Sequence, residues 1–253
     1  MSSVKRSTNA PSRSLQIMAA DPVPRGQEPR RDRLTDLVDR MTADVVLAHA
    51  PGQRVLDLGR GNRQLAEWVE DRAASLSVVD ASDLGRGADV HLAVPQGQFD
   101  LVYCVRTLPH LGRDDETSVS AARSLLAETA RVLRDDGTAL IQFDNPRSLW
   151  GLYHGLRNPV TVVEGGPMVL DSDRGITRLD TLGRFKRMLP RSLHLARLHG
   201  TRIAAHAPSL LAVPLLGSLL ERFEWFGRDR RMLGVFGAHV LVELRKVGVE
   251  ASG

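Results

Sequence analysis

An α/β protein with a mainly parallel sheet, covered by helices on both faces, is the fold class this sequence predicts. Three observations carry that expectation. Short apolar runs alternate with stretches of helical periodicity from residue 32 to residue 245. One run, "FDLVYCV" (99–105), is almost wholly apolar, as a parallel strand covered on both sides must be. A glycine-bearing turn, "GRG" (59–61), separates an apolar strand from the helix that follows it.

The elements follow in order. Leu34, Leu37, Val38, Met41, Val45 and Val46 recur at helical spacing between Asp32 and His49, and "APGQ" ends that helix. Residues 54–58 read as the first strand, and 63–73 as a helix with Leu65, Trp68 and Val69 on its core side. "LSVVD" (76–80) is the second strand, "ADVHLAV" (88–94) a polar third, and 99–105 the fourth. Val119, Ala122, Leu126, Ala130 and Leu133 form the stripe of a long helix over 115–134, with an aspartate before it and Gly137 after it. "TALIQF" (138–143) is the fifth strand. A helix near 180–189 leads to a sixth, "TRIAAH" (201–206), and "AHVLVELR" (238–245) is the last. Between those two, 215–226 has the pattern of an amphipathic helix after Pro214, and few basic residues on its face make core packing the expectation over membrane contact.

The chain has 253 residues and a formal net charge of +4. Residues 1–27, rich in Ser, Pro and Arg, are expected to be a basic disordered tail, and 28–248 a single domain. Only three of the 34 basic residues are lysines, so Arg dominates and suits phosphate or carboxylate recognition. The arginines are scattered among acids, as in "RDDE" and "GRDRR", which reads as solvated faces. A nucleic-acid partner is therefore disfavoured without being ruled out. A single cysteine, Cys104, permits no internal disulfide, carries no zinc-site spacing and fits a reducing, cytoplasmic setting. No metal site is expected, and no apolar run reaches the length of a membrane span.

The functional signal lies in "RVLDLGRGNRQLAEWV" (54–69). Glycines after a strand allow a tight turn and a close approach of ligand to backbone, and the helix behind them offers free N–H groups and a positive dipole end. Asp57 adds a counter-charge for an ammonium, and Asp80, ending the second strand, can accept hydrogen bonds from ribose hydroxyls. A nucleoside-bearing ligand with cationic and anionic parts fits these groups.

"VLDLGRGN", "LSVVD", "FDLVYCVRTLPHL", "LLAETARVLRDDGTALI" and the closing "AHVLVELRK", in that order, resemble a class I S-adenosylmethionine (SAM)-dependent methyltransferase of small-molecule type over roughly residues 30–246. The resemblance implies a Rossmann-like sheet of seven strands in the order 3-2-1-4-5-7-6 with strand 7 antiparallel. It places Asp57, Gly59 and Gly61 at the methionine end of SAM, Asp80 at the ribose, and Arg106 in the cofactor site. Two departures stand out: Arg63 replaces the third glycine of the loop, and "HLAVPQGQFD" supplies no acid for the adenine side, only Gln96 or Gln98. Gly59→Val is expected to abolish SAM binding with the fold largely retained.

For catalysis, His110 is the candidate base, although a lone His in "LPHL" reads more readily as packing or capping a helix start. Cys104 sits where RNA cytosine-C5 methyltransferases can place a nucleophile, but lacks that motif's neighbours. Residues 145–178 are expected to form a lid-like insertion, with Trp150 and Tyr153 as an aromatic wall for the substrate or as anchors to the core. The expected reaction is methyl transfer from SAM to a small molecule, a natural product or lipid-soluble compound. An RNA methyltransferase and a methyltransferase-like binding or scaffold protein are the alternatives.

Overall fold

The computed structural model describes residues 32–60, 62–84, 88–148 and 177–248. The tail 1–27, Gly61, and Trp150 and Tyr153 with most of the 145–178 insertion therefore lie outside the described residues.

Helix α1 (Arg33–His49) starts where the Asp32 carboxylate accepts the Thr35 N–H at 2.9 Å. Strand β1 (Arg54–Gly59) follows, then α2 (Arg63–Glu70), capped by the Asn62 side chain on the Leu65 N–H, and β2 (Ser75–Asp80). After β3 (Phe99–Cys104) and a 3₁₀ turn at Leu108–His110, a capping box of Asp114 and Thr117 opens α3 (Asp115–Val132). Strand β4 (Leu133–Asp144), helix α4 (Leu182–Met188) and strand β5 (Leu193–Thr201) come next. Three helices, α5 (Pro208–Ala212), α6 (Leu216–Arg228) and α7 (Arg231–Gly234), then lead to the last strand, β6 (His239–Lys246).

The sheet has six strands in the order β2-β1-β3-β4-β6-β5. Its first four strands are mutually parallel, and β6 runs antiparallel to both β4 and β5. One face packs α3 and α4 through Leu125, Leu126, Phe185 and Met188 against Leu56, Val102 and Phe143. The other packs α1 and α2 through Val45, Val46, Leu65 and Val69 against Val55, Tyr103 and Leu140. This burial of two helical layers on one sheet supplies most of the driving force for the fold.

Three expectations are corrected. The seven-stranded order loses its first member, because 88–94 forms no strand. Val90, Leu92 and Val94 are buried with period two, yet their backbone bonds go to α3. Ser124 Oγ bonds both N–H and C=O of Val90, Glu128 accepts the Leu92 N–H, and Arg131 donates to the carbonyls of Leu92 and Val94. Side chains thus satisfy groups that would otherwise need a neighbouring strand. The remaining six strands keep their expected relative order.

The second correction concerns the sixth strand, which is 193–201 and not 201–206. A register shift between Leu195 and Arg197 breaks the period-two pattern that would have marked it. Residues 203–205 are held instead by the buried Glu224 carboxylate, which accepts the N–H groups of Ile203, Ala204 and Ala205 at 2.9, 2.6 and 2.7 Å. Third, α6 does not bury its apolar stripe in the core: Leu219 is 63% exposed and Phe226 57%.

Candidate functional site

Ligands of open parallel sheets sit beyond the carboxyl ends of the strands, where the strand order reverses. That point lies between β1 and β3, since β2 flanks β1 on one side and β3 on the other. The register sets Gly59 level with Asp80 and Asp57 level with Tyr103. Four segments begin there: 59–60 at the end of β1, 80–84 after β2, 105–110 after β3 and 145–148 after β4.

Asp57 is 1% exposed and accepts the Tyr103 hydroxyl at 2.9 Å. Burial pushes its carboxyl up to about 7, opposed by that hydrogen bond and by the Arg60 N–H. Burial and the adjoining Asp57 raise the Tyr103 hydroxyl well above its ordinary range, which keeps it a donor. A buried carboxylate so poorly compensated is suited to receive a cation. Asp80, at the rim, keeps a side chain 43% exposed with Arg60 Nη1 3.8 Å away. The sequence-predicted carboxylates Asp57 and Asp80 thus lie on neighbouring strands, toward their carboxyl ends.

Gly59 has a φ of +107°, and a Cβ there would stand 2.0 Å from Thr107 Oγ1. The close neighbour is the loop after β3. Gly59→Val therefore disturbs the fold itself, which corrects the expectation that the fold is largely retained. Arg60 and Arg106, at the ends of adjacent strands, both adopt left-handed backbone, with φ of 49° and 59°. Two such non-glycine residues side by side are costly, and such strain clusters at functional sites. The Arg106 guanidinium, expected at the cofactor, is bonded to Asp39 of α1.

His110 is half-buried in the 3₁₀ turn, with Nδ1 3.3 Å from the Thr177 hydroxyl. Cys104 is fully buried, and burial pushes its thiol up to about 12, so it is no nucleophile near neutral pH. Arg178, unremarked in the sequence, has one of the largest fully buried side chains. Its Nε donates to Asp180 at 2.6 Å, its Nη1 to the Ser118 carbonyl, and its backbone N–H to the Pro109 carbonyl at 2.7 Å. Asn145 is likewise fixed, donating to the carbonyls of Val235 and Gly237 at 2.8 and 3.0 Å. Both ends of the 145–178 insertion are thereby pinned at the carboxyl end of the sheet.

Among these groups Tyr103 carried a signal, as the polar ring in an otherwise apolar strand facing Asp57. Thr107 carried one through its place after the expected fourth strand, as a candidate for chemistry and not for its packing on Gly59, whereas Asp39 and Arg178 carried none, since each acts through a contact distant in sequence. Among the described residues no group of three or more His, Cys, Asp or Glu could hold a metal ion. A cavity of about 570 Å³ beside the edge strand β5 is lined by His49, His199, Glu243 and Arg228 and by none of the sequence-predicted site residues.

A family model described as a methyltransferase domain matches residues 27–189. No curated protein matches the chain. Several solved structures are similar to it. A SAM-dependent methyltransferase from Thermotoga maritima, described as a possible histamine N-methyltransferase, is 15% identical, with 84% of this chain and 91% of that one covered at a TM-score of 0.48. A SAM-dependent methyltransferase from Mesorhizobium loti is also 15% identical, over 83% and 100% of the two chains, at 0.48. The 1,6-didemethyltoxoflavin-N1-methyltransferase of Burkholderia thailandensis, solved with its substrate and S-adenosylhomocysteine, is 14% identical over 85% and 80%, at 0.49.

Proposed function

Because this chain belongs to the methyltransferase-domain family of class I SAM-dependent methyltransferases, we propose that it transfers a methyl group from SAM to a small-molecule acceptor, a natural product or lipid-soluble compound. The observation that carries this reading is the pair of carboxylates, Asp57 beneath the glycine turn and Asp80 at the end of the adjoining strand. Their separation along one sheet edge suits a ligand with an ammonium at one end and a ribose further on. Gly59 closes β1 beside them, and Gly61, outside the described residues, is proposed with it for the methionine end of SAM. Arg106 acts by positioning: its bond to Asp39 ties the loop after β3 to α1.

When bound, SAM supplies a methyl group on a cationic sulfur, open to direct displacement. The chain's task is to align the acceptor with that methyl and to exclude water. An acceptor that loses a proton on methylation would need a base within reach of its nucleophilic atom. His110 is the candidate, with Nδ1 turned to Thr177 and Nε2 left to take the proton. Residues 145–178 are proposed as the lid over the acceptor, with Trp150 and Tyr153 as its aromatic wall. Support comes from both ends of that segment being fixed beside the site.

A methyltransferase-like binding protein without activity is the second reading. It is favoured by the Arg60 cation 3.8 Å from Asp80, which competes with ribose for that carboxylate. Calorimetric titration with SAM and S-adenosylhomocysteine tests both readings. Saturable binding of each supports the enzyme, and absence of binding by either overturns it.

A further inference from the structure

The described surface exposes eleven large hydrophobic side chains, and ten of them lie between Leu210 and Phe236. Singly scattered apolar residues are normal on a protein surface, but ten confined to one run of helices form a patch that requires an explanation. Helix α6 shows how the patch is built. Gly217, Glu224 and Gly227 face the core. Leu216, Leu219, Phe223 and Phe226 fall at helical spacing on a different side and stand 42, 63, 39 and 57% exposed. Leu215, just before the helix, combines a left-handed φ of 63° with 82% exposure. Its carbonyl accepts the Leu219 N–H at 3.0 Å, but its bulky side chain is left in solvent on a costly backbone conformation.

The charges around the stripe are one-sided. Glu221 pairs with Arg33, Glu224 is buried on three backbone N–H groups, and Asp229 is engaged by Arg228 and His199. Arg222, Arg230 and Arg231 are exposed and take part in no ion pair among the described residues, Arg230 lying over the Phe226 ring at 4.4 Å. A second copy of this chain is a poor occupant, because a contact between two such faces would gather the unpaired arginines of both copies with no carboxylates left to pair them.

We propose that α5, α6 and α7 form an interfacial docking surface for an anionic phospholipid bilayer. The apolar stripe enters the boundary between headgroups and acyl chains, and the arginines meet lipid phosphates. The surface is coupled to the candidate site through α1. Leu34, Leu37 and Val38 of α1 pack with Leu211 and Leu220, Arg33 bonds the Leu211 carbonyl at 2.8 Å, and Asp39 of the same helix holds Arg106. Docking would set the site beside the membrane, where a lipid-soluble acceptor partitions. That last step rests on the methyl-transfer reading, whereas docking itself does not.

The test is co-sedimentation of the full chain with vesicles of phosphatidylcholine alone and of phosphatidylcholine mixed with phosphatidylglycerol, without SAM. The wild type is expected to pellet with the anionic vesicles and to be released by salt. Leu219→Ser with Phe226→Ser should weaken this binding at least tenfold. Arg222→Gln with Arg231→Gln should remove the preference for anionic vesicles. All four side chains are exposed, so melting temperature and SAM affinity should not change, and both are measured on each variant. Failure of the wild type to pellet with either vesicle overturns the proposal, as does equal binding by the Leu219→Ser, Phe226→Ser variant. Self-association reversed by that variant, without vesicle binding, assigns the patch to a dimer and likewise overturns it. Vesicle binding without SAM binding would leave the docking surface standing and sink the methyl-transfer reading.

Discussion

At the scale of single residues, Asp57 ties the candidate site to pH. Its carboxyl titrates at about 7 in the fold against an ordinary 3.8. Below the ordinary value both folded and unfolded chains hold the proton. As pH rises toward 7 the unfolded chain ionises first, so folding loses stability across that window, by about 4 kcal/mol when complete. Asp57→Asn should therefore melt higher than wild type at about pH 8, with the gap closing as the pH falls to the ordinary carboxylate range. A ligand ammonium reverses the balance by favouring the ionised carboxylate, with Arg60 and Asp80 as the other charges nearby. SAM affinity should rise with pH up to about 7 and then level, and a pH-independent affinity would count against Asp57 facing the ammonium. Asp80→Ala should weaken SAM binding tenfold or more, through loss of charge-assisted hydrogen bonds of about 1.5–3 kcal/mol each, while Asp83→Ala, in the following turn, should not. Equal effects in a titration of the two variants would remove the ribose assignment. Gly59→Ala should destabilise the chain by about 2–5 kcal/mol, from overpacking against Thr107 plus backbone strain. Thr107→Gly in the same chain should restore only part, since the φ of +107° stays unfavourable to alanine.

At the scale of elements, sequence periodicity located α1, α2, α3 and α4, because each has a stripe that one side of the sheet buries, whereas the short α5 and α7 have too few turns to show one. It failed where a backbone partner was not a strand. Residues 88–94 carry the alternation of a strand, but Ser124, Glu128 and Arg131 of α3 take its hydrogen bonds. Strand β5 hid for the opposite reason: its leucines fall at 193, 195 and 198, and the bulge between Leu195 and Arg197 imitates a helical interval. The glycine turn and its two carboxylates were legible because their chemistry is local in sequence. Arg178 was not, because its partners Ser118 and Pro109 lie about sixty residues away. The carboxylate that latches 203–205 gives a direct test at this scale. Glu224→Ala strands three N–H groups in a buried turn and should cost about 3–5 kcal/mol, read as a fall in urea midpoint. Glu224→Gln, which keeps one accepting oxygen, should cost less.

At the scale of the whole molecule, ligand and fold are linked by mass action. A ligand that binds only the folded chain adds about 2.7 kcal/mol at a hundred times its Kd. For a domain of this size that corresponds to a rise of roughly 5–10 °C in Tm. Saturating SAM or S-adenosylhomocysteine should produce such a rise in a thermal scan, and an unchanged Tm would argue for a fold without its cofactor. Each ligand should raise the Tm of the Leu219→Ser, Phe226→Ser chain as it raises that of wild type, because both replaced side chains are exposed and the link to α1 runs through Leu211 and Leu220 instead.

The diversion of 88–94 onto α3 also leaves the sheet open at one end. Among the described residues β2 has β1 on one side and no strand on the other, so its outer main-chain groups present a template. Any extended segment from another chain could prolong the sheet there by hydrogen bonds alone, whatever its sequence. The strand is only six residues long and places Ser75 and Ser77 along its more exposed half, which keeps the template short and poorly adhesive. Replacing those serines by valines would raise β-propensity and apolar surface together. Solubility at high concentration, more than folding or ligand affinity, is the property that edge controls.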